Sequence, residues 1–119
     1  MQGKLSMKNN EYKFNEDNYV EELQNVIDST YTGHYSRQQF QATEFIIDGG
    51  HGTGFCIGNI MKYAQRYGKK GNTDDARKDL LKVLHYGIIQ LYVHDRDQFD
   101  IDSRLSMGDS DEEYKFNTD

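Results

Sequence analysis

FCIGNIMKYAQRYGKKGNTDDARKDLLKVL, residues 55–84, decides the fold. Apolar residues recur at helical spacing on both sides of a short polar break. Before the break, Ile57, Ile60, Met61, Ala64 and Tyr67 form one line. After it, Leu80, Leu81 and Leu84 begin a second line that continues through Ile88, Leu91 and Tyr92. Gly68 stands where a C-cap glycine belongs, and Thr73 reads as an N-cap followed by Asp74 and Asp75. The spacing predicts a helix over 53–67 and another from Thr73 to about Asp95. The short KKGN link makes them antiparallel neighbours.

Two further helices are expected upstream. Tyr19, Leu23, Val26 and Ile27 mark one over 16–30, with Asn15 or Asp17 as its cap. Phe40, Ala42, Phe45, Ile46 and Ile47 mark the next, capped by Ser36 and ended by Gly49 and Gly50. The chain has no proline to interrupt these patterns. The fold class is therefore all-α, a small bundle of about four helices. Residues 1–15 read as a flexible N-terminal segment, 16–95 as the helical domain and 96–119 as an acidic extension without a clear period. EYKFN occurs twice, at Glu11–Asn15 and Glu113–Asn117. Its alternating aromatics suit short strands at the termini, although a word this short also recurs by chance.

Length and composition narrow the function. A chain of 119 residues fits one domain. The single Cys56 forms no internal disulfide, and no apolar run approaches the length of a bilayer span. No apolar signal segment opens the chain. A soluble, cytoplasmic protein without a membrane partner is expected. The net charge is −6, but residues 55–86 hold seven Lys and Arg against three Asp, between acidic flanks. That balance disfavours duplex nucleic acid, which needs a basic face tracking many phosphates. It suits a small anion.

Cations of the central stretch fall into a pattern. Asn59, Lys62, Tyr63, Arg66 and Lys69 or Lys70 follow at i, i+3, i+4, i+7 and i+10 or i+11. They make one polar stripe opposite the apolar line. Asp79, Lys82 and Tyr86 make a second stripe on the next helix. Antiparallel packing would set the two stripes along one groove. Arginine grips phosphate bidentately, lysine adds point charge, asparagine an amide and tyrosine a ring. The plain alternative is a solvated helix face, where Lys and Arg sit by default.

GGHGTG, residues 49–54, is a second candidate, because a glycine-rich turn into a helix exposes backbone N–H groups to an anion. It lacks the Lys-Ser/Thr of a Walker loop and the third glycine of a dinucleotide fingerprint, and it also suits a plain connection. His34, His51, His85 and His94 share no short ligand spacing, so no metal-ligating set is expected from them. Cys56 lies among apolar residues and reads as a buried, inert thiol. The acids Asp74, Asp75 and Asp79, or Glu21, Glu22 and Asp28, are unspecific as metal ligands. A magnesium ion would come with a nucleotide.

One family combines these elements. His34–Tyr35, then a helix carrying Glu44 and Ile47, then FCIGNIMKYAQRYGKKG over 55–71, then Asp79, Leu80, Lys82 and Tyr86 resemble a small phage domain family long of unknown function. Its pattern is HY, FCxGNxxKYxxRxGKKG and DLxKAxxY, and the likeness covers about residues 34–92. A characterised member is a nucleotide kinase for deoxynucleoside monophosphates that lacks a P-loop. The resemblance implies a phage origin, a host-cytoplasmic location and a site made of His34, Tyr35, Asn59, Lys62, Tyr63, Arg66, Lys69, Lys70, Asp79, Lys82 and Tyr86. Val83 departs from the pattern's alanine, the GGHGTG turn is richer in glycine than the pattern, and the acidic tail lies outside it.

The expected function is nucleotide binding, extending to deoxynucleoside monophosphate kinase activity. Arg66 and Lys62 are the expected catalytic residues and the other nine the expected substrate-binding residues. Two rivals stand beside it. A helical nucleotide pyrophosphohydrolase needs several helix-borne acids, of which Glu21 and Glu22 are a fragment. A non-enzymatic accessory protein would sequester a nucleotide or a host protein. A homo-oligomer suits the small size and apolar helices.

Overall fold

A computed structural model describes residues 11–107, with the side chains of His34, Tyr35, Asp100 and Met107 outside the description. The described residues form four α-helices: α1 (Glu16–Thr30), α2 (His34–Ile46), α3 (Gly52–Arg66) and α4 (Thr73–Met107). A short π turn, Ile47–His51, joins α2 to α3, and the chain kinks there at Gly50, which is not helical. The protein is small and all-α, as the periodicity predicts. No strand occurs among the described residues. The first EYKFN copy passes through a turn and not the expected strand, and the second lies outside the described residues.

The chain divides into two compact units, Met1–Gln39 and Phe40–Asp119. In the first, Asn15 precedes α1 at φ 62, a left-handed conformation that asparagine tolerates. It opens the helix through its carbonyl, which accepts from the N–H groups of Asn18 and Tyr19 at 3.1 Å. The Asn15 side chain instead accepts from Asn18 Nδ2 at 2.6 Å, so there is no side-chain cap. Asp17 lies inside the first turn, where its charge complements the helix dipole. α1 has no fully buried residue.

Gly33, at φ 94, turns the chain between α1 and α2. α2 starts at His34, two residues before the expected cap. Ser36 is therefore inside the first turn, and its hydroxyl donates back to the Thr32 carbonyl at 2.8 Å.

In the second unit, α3 and α4 pack against each other and enclose the core. Cys56 and Val93 are its fully buried apolar side chains among the described residues. Gly52 opens α3 against α4 so closely that an added Cβ would lie 3.1 Å from a Val93 methyl and 3.2 Å from Ile47. The glycine-rich turn thus has a steric reason: Gly50, at φ 92, makes the bend and Gly52 allows the approach. Gln90 Nε2 donates to Thr53 Oγ1 at 3.1 Å beside this seam.

α4 is capped by Asn72, not by Thr73, which is its first helical residue. The Asp75 N–H donates to Asn72 Oδ1 at 3.0 Å, and the Asn72 N–H donates to Asp75 Oδ2 at 3.1 Å. This is a reciprocal capping box one residue earlier than the sequence reading. α4 also runs past Asp95 to Met107. Its last turns contain no glycine or proline, and Gln98 donates to Asp102 four residues on. A solvated helix needs no apolar period to persist once a packed segment nucleates it. Arg96 ties this region to Asp48 of the π turn at 3.1 Å. Among the described residues no helix is long and apolar enough to cross a membrane.

Candidate functional site

The seam between α3 and α4 gathers most of the polar stripe. Arg66, in the last turn of α3, reaches Asp79 in the second turn of α4. Its Nη2 lies 3.2 Å from Oδ1, and its Nε donates to Oδ2 at 3.4 Å. Asp79 is only 1% exposed and Arg66 41%. Oδ1 has no well-angled hydrogen bond despite the ion contact. The pair is therefore held by charge more than by hydrogen-bond geometry. A carboxylate buried this deeply depends on its cation.

Tyr63 is the centre of the cluster. Lys62 Nζ lies 4.6 Å from its ring centroid, Arg66 Cζ 5.5 Å and Lys82 Nζ 5.5 Å. Two helices thus bring three cations around one aromatic ring, whose quadrupole favours them there. The Tyr86 ring stacks on Tyr63 at 6.2 Å and 11°. Phe55 meets Tyr86 edge-on at 5.8 Å, and His85 lies 6.5 Å from Tyr86 and from Phe40. The aromatic chain continues the cationic cluster along the seam.

Proton affinities follow this environment. Burial, followed by the Tyr63 and Cys56 charges, pushes the Tyr86 phenol above its ordinary value. Burial and then the Lys82 charge push His85 below its ordinary value. Burial also raises the Cys56 thiol, which keeps it protonated and unreactive at neutral pH.

Six of the expected site residues therefore meet: Lys62, Tyr63, Arg66, Asp79, Lys82 and Tyr86. Asn59 lies one turn before Tyr63, but its amide donates to the Phe55 carbonyl at 2.9 Å. Its side-chain oxygen is the group left for a ligand. Lys69 and Lys70 are exposed in the loop between Gly68 and Gly71, both at positive φ. His34 and Tyr35 begin α2 in the other unit, and their side chains lie outside the described residues. Sequence reasoning missed Phe55, His85 and Phe40, which read as core or as isolated residues. The signal for Phe55 was its spacing of eight from Tyr63, two helical turns along the same face.

Among the described residues no three His, Cys, Asp or Glu side chains come together as a metal set. Asp75 is engaged in the α4 cap and Asp79 with Arg66.

The family described as "Protein of unknown function (DUF3310)" matches residues 12–87, more than half of the chain. The chain belongs to the DUF3310 family. The match starts before α1 and stops just after Tyr86, so it takes in the whole cationic cluster of this DUF3310 protein. It extends the likeness upstream of His34 and leaves the later turns of α4 outside. No curated protein and no solved structure matches the chain at a significant level.

Proposed function

We propose that the α3–α4 seam binds the phosphates of a nucleotide and that the protein transfers a phosphoryl group to a deoxynucleoside monophosphate. The observation that carries this reading is the convergence of Lys62, Arg66 and Lys82 on Tyr63 in a chain of net charge −6. Cations held together from two helices, at a distance set by an aromatic ring, cost electrostatic repulsion. A phosphate relieves that repulsion.

Phosphoryl transfer needs positioning and charge neutralisation more than covalent help from the protein. An acceptor phosphate oxygen attacks the terminal phosphorus of the donor, and the bond from that phosphorus to the bridging oxygen breaks. Lys62, Arg66 and Lys82 neutralise the charge on the transferring oxygens. Asp79 fixes Arg66 by two of its nitrogens and leaves the remaining nitrogen of a partly exposed side chain for the ligand. The Asn59 oxygen and the Tyr63 ring orient sugar or base, with Lys69 and Lys70 at the mouth of the seam. Magnesium would enter on the nucleotide's own phosphates. The described residues do not offer it a ligand set, so no step is assigned to it. The phage setting and host-cytoplasmic location that the resemblance implies belong to the same reading.

Incubation with ATP and dTMP, followed by nucleotide chromatography, tests the proposal. New dTDP and ADP are expected, with loss of the product in Lys62→Gln and Lys82→Gln. Pyrophosphate release would mark a hydrolase instead. Unchanged nucleotides, with binding retained in calorimetry, would leave a binder that sequesters nucleotide.

A further inference from the structure

α4 offers a contact surface on two opposite sides. One side faces α3 through Asp79, Tyr86 and Val93. The other carries Leu80, Leu84, Ile88, Leu91 and Tyr92, at i, i+4, i+8, i+11 and i+12, and these five side chains are 43–64% exposed. A contiguous apolar stripe on the side of a helix turned away from its packing partner marks a surface that a further element can cover. Five large side chains in one stripe expose on the order of 500 Å² per chain, at the upper end of what monomers show, and two such stripes face to face reach the roughly 1,000 Å² that a specific interface needs.

The stripe has an internal symmetry. Leu84 and Ile88 lie two residues either side of Tyr86, Leu80 and Tyr92 six, and Arg77 and Asp95 nine. Residues 77, 84, 88 and 95 follow at steps of 7, 4 and 7, so they share one face of the helix. An isologous contact requires a patch that complements itself after a two-fold rotation. Two copies of α4 laid antiparallel with their midpoints at residue 86 satisfy this. Leu84 of each meets Ile88 of the other, Leu80 meets Tyr92, and opposite charges at 77 and 95 meet at both ends.

We propose that the protein forms a two-fold dimer through this face of α4, with a second copy of the chain as the occupant. The antiparallel arrangement also opposes the two helix dipoles favourably. The dimer face and the cationic seam lie on different sides of α4, so the proposal does not rest on the nucleotide reading.

Light scattering after gel filtration, across a range of protein concentrations, tests it on the full chain. The wild type is expected at twice 13.9 kDa at micromolar concentration. Ile88→Glu, at an exposed position, should give a monomer with unchanged helix content by circular dichroism. Arg77→Asp and Asp95→Arg should each weaken dimerisation about tenfold, and the double swap should restore it. On one α4 the two positions are about 27 Å apart, so rescue reports a contact between chains and not within one. A wild type that stays monomeric throughout overturns the proposal. So does a dimer that survives Ile88→Glu, or a double swap that fails to restore.

Discussion

Arg66 spans the α3–α4 seam to the buried carboxylate of Asp79, with contacts of 3.2 and 3.4 Å. The sequence reading made both residues ligand-facing. In the fold the same pair also joins the two helices, so its removal has consequences for stability as well as binding.

Arg66→Ala should therefore unfold at lower denaturant than the wild type. Removing the cation from a buried pair costs ~3–5 kcal/mol, and the partial exposure of Arg66 places the loss at the low end of that range. Asp79→Asn in the same chain should recover part of it, because the stranded charge is gone. Urea melts of the two single variants and the double variant measure the coupling.

Lys62 and Lys82 separate binding from stability. Both are exposed and approach Tyr63 from different helices. Changing either to Gln should leave the melting temperature within a few degrees. It should weaken nucleotide binding about tenfold, the loss of one charge-assisted contact. Calorimetry with ATP and with dTMP reads the effect, and equal affinities would remove that lysine from the site.

Two glycines of α3 should respond to alanine with opposite signs. At Gly52 the new Cβ meets Val93 and Ile47 at 3.1–3.2 Å, and Val93 is itself buried in the seam. Gly52→Ala should lose about 1–3 kcal/mol by overpacking. Gly58, within the same helix, has nothing within 4 Å of an added Cβ. Gly58→Ala should gain about 0.5–1 kcal/mol, because alanine has less backbone freedom to lose. Thermal melts of both variants decide it.

His85 gives a pH dependence. Its proton affinity is lowered in the fold, by burial first and by Lys82 second. The unfolded chain then binds the proton more readily than the folded one. The stabilisation from keeping His85 neutral is complete above pH 6.5 and declines as pH falls below that value. Melting temperatures from pH 7.5 down to 5 should fall less steeply in His85→Gln than in the wild type. Parallel slopes would remove His85 as a contributor.

Periodicity and punctuation made α3 and most of α4 legible. Apolar spacing and the Gly68 stop depend on residues close together in the chain, and local patterns carry them. The caps were less legible. Asn72, Thr73 and Ser36 all have capping side chains, and the backbone path selects among neighbours of equal chemistry. The far end of α4 was illegible because its extension is solvated and shows no buried face. Within the candidate site, spacing placed Lys62, Tyr63 and Arg66 on one face, as it did Asp79, Lys82 and Tyr86.

The amino-acid order alone determined that the chain is helical, where its cations cluster and which residues share each stripe, because 3.6 residues per turn is a local property. Tertiary packing decided the rest. It chose Arg66 as the partner of Asp79, gathered Lys62, Arg66 and Lys82 around Tyr63, and gave Gly52 a steric duty beside Val93. These contacts join residues on different helices. Their distances depend on how closely α3 and α4 approach, which no spacing along one helix specifies.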